Sequence, residues 1–188
     1  TLDYFPMQMR GSATVKNATV SFEPTVPPAH VKEIGIEFKE DKLLFDIHEP
    51  TYEQKNIQKA DVYIYNLIGK GTGIVVDLNA TSRLDAPIHK ILHAFKIDVP
   101  ITQTSGKTDA NVRLDIKFLP FDINATGKFK LSPSDFTLSG LPMSTKYGEV
   151  RLDNFKIMLD NANLRYKNLF DINATGTFDA KKSNYEGK

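Results

Sequence analysis

The chain of 188 residues contains no cysteine. That absence removes disulfides, thiolate nucleophiles and cysteine-ligated metals together, and it suits a cytoplasmic protein as well as an exported one that needs no staple. Charge of one sign is missing too. The 24 Lys and Arg are interspersed with 23 Asp and Glu, leaving a net charge of +1. No basic stripe is available to neutralise phosphates, so nucleic acid is not an expected partner. No apolar run approaches the roughly 18 residues of a membrane span, and no signal-peptide pattern opens the chain. The chain begins at Thr1 without an initiator Met. The expectation is a mature or excised fragment of a longer protein, long enough to bury a sizeable core.

What the chain does have is one phrase written three times. Val76-Asp77-Leu78-Asn79-Ala80-Thr81, Phe121-Asp122-Ile123-Asn124-Ala125-Thr126-Gly127 and Phe170-Asp171-Ile172-Asn173-Ala174-Thr175-Gly176 are near copies, with their aspartates 45 and 49 residues apart. A period in that range points to repeated supersecondary units stacked into an elongated array. Each copy alternates apolar and polar residues. Successive strand side chains point to opposite faces, so each copy reads as a strand with one oily side and one wet side.

The same grammar covers most of the chain. Ile34, Ile36 and Phe38 share a parity, as do Leu43, Phe45 and Ile47 behind a turn at Asp41, then Val62 and Ile64. Gly69-Lys70-Gly71-Thr72-Gly73 reads as a hairpin turn into a long strand, Ile74 to Leu84. From Ser12 to Phe22 the pattern is loose, because Ala18, Val20 and Phe22 share one parity while Ala13 and Val15 fall on the other. Between residues 85 and 96 the period changes. Ile88, Ile91, Leu92 and Phe95 follow helical spacing, Asp85 can cap and Pro87 suits a first turn, which predicts one short amphipathic helix. Regular strands then run from 107 to 180: Val112, Leu114, Ile116 and Phe118; Ile123, Ala125, Phe129 and Leu131; Phe136 and Leu138; Val150 and Leu152; Phe155, Ile157 and Leu159; Leu164 and Tyr166; and Ile172, Ala174, Phe178 and Ala180. Short connections favour an antiparallel meander. The tail from Lys181 to Lys188 is polar and expected to fray.

Catalytic and ligand motifs fall short of their requirements. Gly106-Lys107-Thr108 lacks the glycine a phosphate loop needs five positions earlier, where Ile101 stands, and a strand follows it instead of a helix. His89 and His93 sit one helical turn apart, but Lys90 occupies the position where a zincin carries Glu, and no third ligand presents itself, so no metal is expected. No serine has a nucleophile elbow, and the carboxylates alternate outward along strands, as on a solvated face. The expectation is a protein that is not an enzyme and takes no cofactor. Each repeat holds Asp-x-Asn-x-Thr, centred on Asn79, Asn124 and Asn173. These match the general glycan acceptor with an added acidic residue, and they equally match a plain polar strand face; the second reading is favoured.

The stretch from Ile88 to Leu159 also resembles a known family. A short helix leads into a strand carrying Leu114-Asp115-Ile116, then Leu119-Pro120, then a repeat strand with Gly127. Phe129-Lys130-Leu131-Ser132-Pro133-Ser134-Asp135-Phe136-Thr137-Leu138-Ser139-Gly140-Leu141-Pro142 and a Gly-led strand, Gly148 to Leu152, complete the pattern. It is similar to the AsmA-like proteins of Gram-negative bacteria, in the branch that includes YhdP and, more distantly, TamB. About the first 80 residues match that pattern less well. The resemblance implies a periplasmic segment of a protein anchored in the inner membrane. It would be a long β-sheet folded over into an apolar groove that conducts phospholipids toward the outer membrane.

The fold class expected is therefore all-β: an elongated, curved antiparallel meander folded over like a taco, with one short helix, the whole chain being one segment of a repeat protein. A sheet with one apolar face must cover it with another layer or with a ligand, so the alternation alone leaves open a closed β-sandwich serving as a binding or scaffold module. The repeat and the resemblance favour the groove. Its expected lining is Val76, Leu78, Leu84, Leu114, Ile116, Phe118, Ile123, Phe129, Leu131, Phe136, Leu138, Leu152, Ile157, Leu159, Ile172 and Phe178. The expected partners are phospholipid acyl chains and neighbouring segments of the parent protein, with membrane attachment supplied by other parts of it.

Overall fold

A computed structural model describes residues 10–21, 24–53, 55–94, 99–179 and 184–187. Phe22, Phe95 and Ala180 of the strand and helix patterns lie outside the described residues. The described strands form one 14-stranded antiparallel sheet that does not close into a barrel. The path runs β1 (Arg10–Val20), β2 (Ala29–Lys39), β3 (Lys42–Tyr52), β4 (Lys55–Tyr65) and β5 (Gly73–Ser82), each pairing with the next. The chain then leaves the sheet as α1 (Ala86–Ala94) and β6 (Ile101–Gln103). It resumes the path with β7 (Thr108–Lys117), β8 (Asp122–Leu131), β11 (Gly148–Asp153), β12 (Lys156–Tyr166), β13 (Phe170–Asp179) and β14 (Asn184–Gly187). Between β8 and β11 the hairpin β9 (Ser134–Leu138) and β10 (Leu141–Thr145) branches off, with β6 on its outer side.

The branch is an extension of the same long strands past a crease. Thr108 pairs with Leu131 below the crease, and Gln103 pairs with Phe136 above it. At the crease Gly106 takes φ +76°, and a Cβ there would come within 3.0 Å of Pro133 O and Ser134. Ser105 N donates to Asp135 O at 3.1 Å, Ser132 N donates to Lys107 O at 2.9 Å, and the buried Gln103 Nε2 donates to Ser134 Oγ at 2.8 Å. Only a residue without a side chain fits where two backbones approach this closely.

The described strands meet edge to edge as ladder neighbours. Several sequence expectations shift in detail. The loose pattern of β1 has a cause: Asn17 stands at φ 52°, and Glu49 of β3 at φ 49° lies in the same cross-sheet line, with Lys32 of β2 between them. A left-handed residue inside a strand interrupts the alternation, so the parity changes at Asn17. Val15 and Ile34 pair below that line, Ala18 and Val31 above it, and both Ile34 and Val31 are buried.

The strand expected to reach Leu84 ends at Ser82, and Phe118 falls one residue beyond β7. Residues 184–187 of the tail, expected to fray, form β14 against β13. The three repeats lie on β5, β8 and β13, two and three ladder steps apart along the path. They are equal in sequence and unequal in structure, because the first interval holds the helix excursion and the second holds the β9–β10 branch.

Candidate functional site

The pairing register decides which side chains share a face. Gly11, Phe38, Leu43, Ile64, Ile74, Ile116 and Ile123 form one cross-sheet line from β1 to β8. The next line is Ala13, Ile36, Phe45, Val62, Val76, Leu114 and Ala125. A third runs Leu78, Val112, Gly127, Leu152, Ile157 and Phe178, and a fourth runs Ala80, Ala110, Phe129, Val150, Leu159 and Gly176. These lines run across the strands, along the direction in which the sheet grows. They make one continuous apolar face whose side chains are mostly half-buried, neither sealed nor fully exposed. Phe129 folds its ring over Gly127, within 3.0 Å of where a Cβ would stand, so a large side chain covers the gap left by a small one.

Of the residues expected to line a groove, Val76, Leu78, Leu114, Ile116, Ile123, Phe129, Leu131, Leu152, Ile157, Leu159 and Phe178 stand on this face by register. Ile172 pairs with Leu164 on the same face toward the far end of β13 and is 49% exposed. Leu84 lies in the link to α1, where its N–H and C=O are both held by Gln103. Phe118 sits in the β7–β8 turn and is 43% exposed. Phe136 and Leu138 are beyond the crease on β9, with Phe136 buried opposite Met143. Residues of β2 to β4 on the same lines, among them Ile36, Phe45 and Val62, belong to the face equally. Their alternation was legible, and only the register shows that it is continuous with that of the later strands.

The face has one cover of its own. Leu92 of α1 and Val99 pack against the buried pair Ala125 and Leu152, with Leu114, Phe129 and Ile157 around them. The helix start is tied by Lys55 Nζ to Asp85 Oδ2 at 2.7 Å and by Tyr52 OH to Pro87 O at 3.5 Å. Among the described residues Asp85 Oδ1 is buried without a hydrogen-bond partner. His89 Nε2 lies 3.3 Å from Thr102 Oγ1. No residue of the helix is fully buried.

The opposite face is polar and internally bonded. Asn111 Nδ2 donates to Asn79 Oδ1 at 2.6 Å, Arg113 pairs with Asp77 at 2.5 Å, Asn163 Nδ2 donates to Asp171 at 2.6 Å and Tyr147 OH donates to Asn173 Oδ1 at 2.9 Å. The repeated Asp and Asn side chains thus form cross-strand polar pairs, which stabilise a solvated sheet face. Tyr65 lies over Gly73 and donates to Asp115 Oδ1 at 2.8 Å, which raises the Tyr65 hydroxyl pKa above its ordinary value. Beside it Val75 is 2% exposed, the most deeply buried large side chain of the described residues. A concavity of about 720 Å³ is lined by residues of both faces, among them Asn79, Asn111, Lys128 and Arg151 beside Ala110 and Phe129. Two of its cations are paired locally, Arg151 with Asp160 and Lys59 with Asp61.

Among the described residues no helix is long and apolar enough to cross a membrane. In comparisons with known proteins, the family model described as YhdP protein matches residues 1–188, the length of the chain. No curated protein and no solved structure matches.

Proposed function

We propose, from the premise that this chain belongs to the YhdP protein family, that it is a segment of a bridge-like lipid carrier whose apolar face holds phospholipid acyl chains. The observation that carries the reading is the continuity of the apolar lines across the sheet, with side chains that are mostly half-buried. A hydrocarbon tail laid along those lines gains about 0.8 kcal/mol for each methylene it buries. The lines cross the strands, so a tail can pass from one strand to the next without meeting a polar residue. Head groups stay at the open edge, in water, which makes selectivity among phospholipids low. The chain acts without bond chemistry and without a cofactor. Its place is the periplasm, as one stretch of a parent protein anchored in the inner membrane, and its neighbours are the flanking segments of that parent. Transfer runs between the inner and outer membranes of a Gram-negative envelope.

The test is photo-crosslinking in the cell with a benzophenone side chain placed at Leu78 or Ile157, on the apolar face, and at Asp77 or Arg151, on the polar face. Phospholipid adducts at the first pair and none at the second are expected. Equal labelling of both faces, or none at either, refutes the proposal.

A further inference from the structure

We propose that helix α1 is an internal gate that competes with an acyl tail for the middle of the apolar face, so that helix docking and tail loading exclude each other at that point. The inference rests on the carrier reading above and adds to it a site where passage is controlled. Leu92 and Val99 already occupy the surface of Ala125 and Leu152, in the middle of the lines along which a tail would run. Ala125 is a small residue, and the Phe129 ring closes over Gly127 beside it, so the helix side chains rest directly on Ala125 and Leu152. Two apolar bodies cannot cover those two residues at once, so either the helix sits there or a tail does.

The helix is built to leave. Its nine residues include none that is fully buried, and such a length is marginal as a free helix in water. At about 13.5 Å it spans less than half of a ten-residue strand, so it blocks the trough locally and leaves the remaining width open. Its N-terminal end is tethered to β4 by the half-buried Lys55–Asp85 pair. After Gln103 the chain is locked into the crease. Release of Leu92 would therefore leave the helix tethered to the sheet through Asp85.

A chain without cysteine allows a clean test. Leu92→Cys with Leu152→Cys, joined by a short bis-maleimide, holds the helix down, and Leu92→Ser loosens it. Uptake of a phospholipid with a fluorescent acyl chain, presented from vesicles, is measured for the 188-residue chain in each form, with thermal unfolding in parallel. The joined form should take up about tenfold less lipid than the same double variant left unjoined, and Leu92→Ser about tenfold more than the parent, at a similar melting point. Equal uptake by all forms overturns the gate while leaving the carrier reading intact. A Leu92→Ser chain that melts far lower and takes up less, beside a joined form that still loads, makes the helix plain structural core and also overturns the gate. Uptake by no form sinks the carrier reading and the gate with it.

Discussion

Replacing Gly106 with alanine should be far more damaging than its place in a half-buried turn suggests. The residue holds φ +76°, where a Cβ costs an L-residue about 1–2 kcal/mol. The added methyl also falls within 3.0 Å of Ser134 Oγ, Pro133 O and Ser134 Cα, and the last two are backbone atoms that cannot turn aside. Overpacking of this kind costs about 1–3 kcal/mol. Moving Ser134 would further break its buried hydrogen bond from Gln103, worth roughly 0.5–1.5 kcal/mol. The combined loss is about 3–6 kcal/mol, a large part of the roughly 5–15 kcal/mol that holds a domain together. Gly71 supplies the control, since it has φ +81° and nothing within 4 Å of its Cβ position. Gly71→Ala carries the backbone cost alone. In thermal unfolding followed by circular dichroism, Gly106→Ala should melt about 10–20 °C below the parent and Gly71→Ala about 2–8 °C below it, at roughly 2–4 °C per kcal/mol for this length. Midpoints within about 2 °C of each other would show that the crease is loosely packed and that the argument from close approach is wrong.

On the apolar face, charge should matter more than bulk. Ile116→Asp and Phe129→Asp are expected to fold, because their positions are only half-buried, and to lower lipid uptake at least about tenfold, whereas Ile116→Ala changes it by less than about threefold. Aspartate variants that fold and load like the parent would remove acyl chains from that surface. Tyr65→Phe, which loses only the bond to Asp115, should lower stability by about 0.5–1.5 kcal/mol, and Tyr65→Ala, which also uncovers Gly73, by about 2 kcal/mol or more in a denaturant titration. Asp171 is held below the usual carboxylate range by the Asn163 amide and then by Lys146. A lowered folded-state pKa contributes stability above the unfolded-state value near pH ~4 and loses it as pH falls through the folded value. Melting temperatures from pH 6 to pH 3 should therefore fall less steeply for Asp171→Asn than for the parent; identical slopes would refute the assignment.

The chemistry of the face was readable from Ile36, Val76, Leu114 and Ile157 because alternation is a local property of a pleated chain. Each residue's side is fixed by its neighbours two positions away. The same locality hid the phase change at Asn17. No neighbouring residue announces a left-handed backbone inside a strand, and Ala13 and Val15 read as noise beside Ala18 and Val20. Gly106 was recognised as a turn that opens a strand, yet its role in the crease depends on Pro133 and Ser134, which come from another hairpin. The three repeats have similar spacing and unequal structural intervals, because sequence distance counts residues in excursions and branches that ladder position does not.

By itself the sequence determined a Cys-free, one-faced, antiparallel β-sheet with a single short helix, since strand parity, turn residues and helical spacing are set within a few residues of each other. The tertiary structure alone decided that the sheet stays unclosed and that α1 lies on its apolar side, with Leu92 against Ala125 and Leu152. An apolar stripe specifies that something must cover it and carries no record of which distant surface does, because hydrophobic contact is non-directional and is settled only when the register brings the strands together.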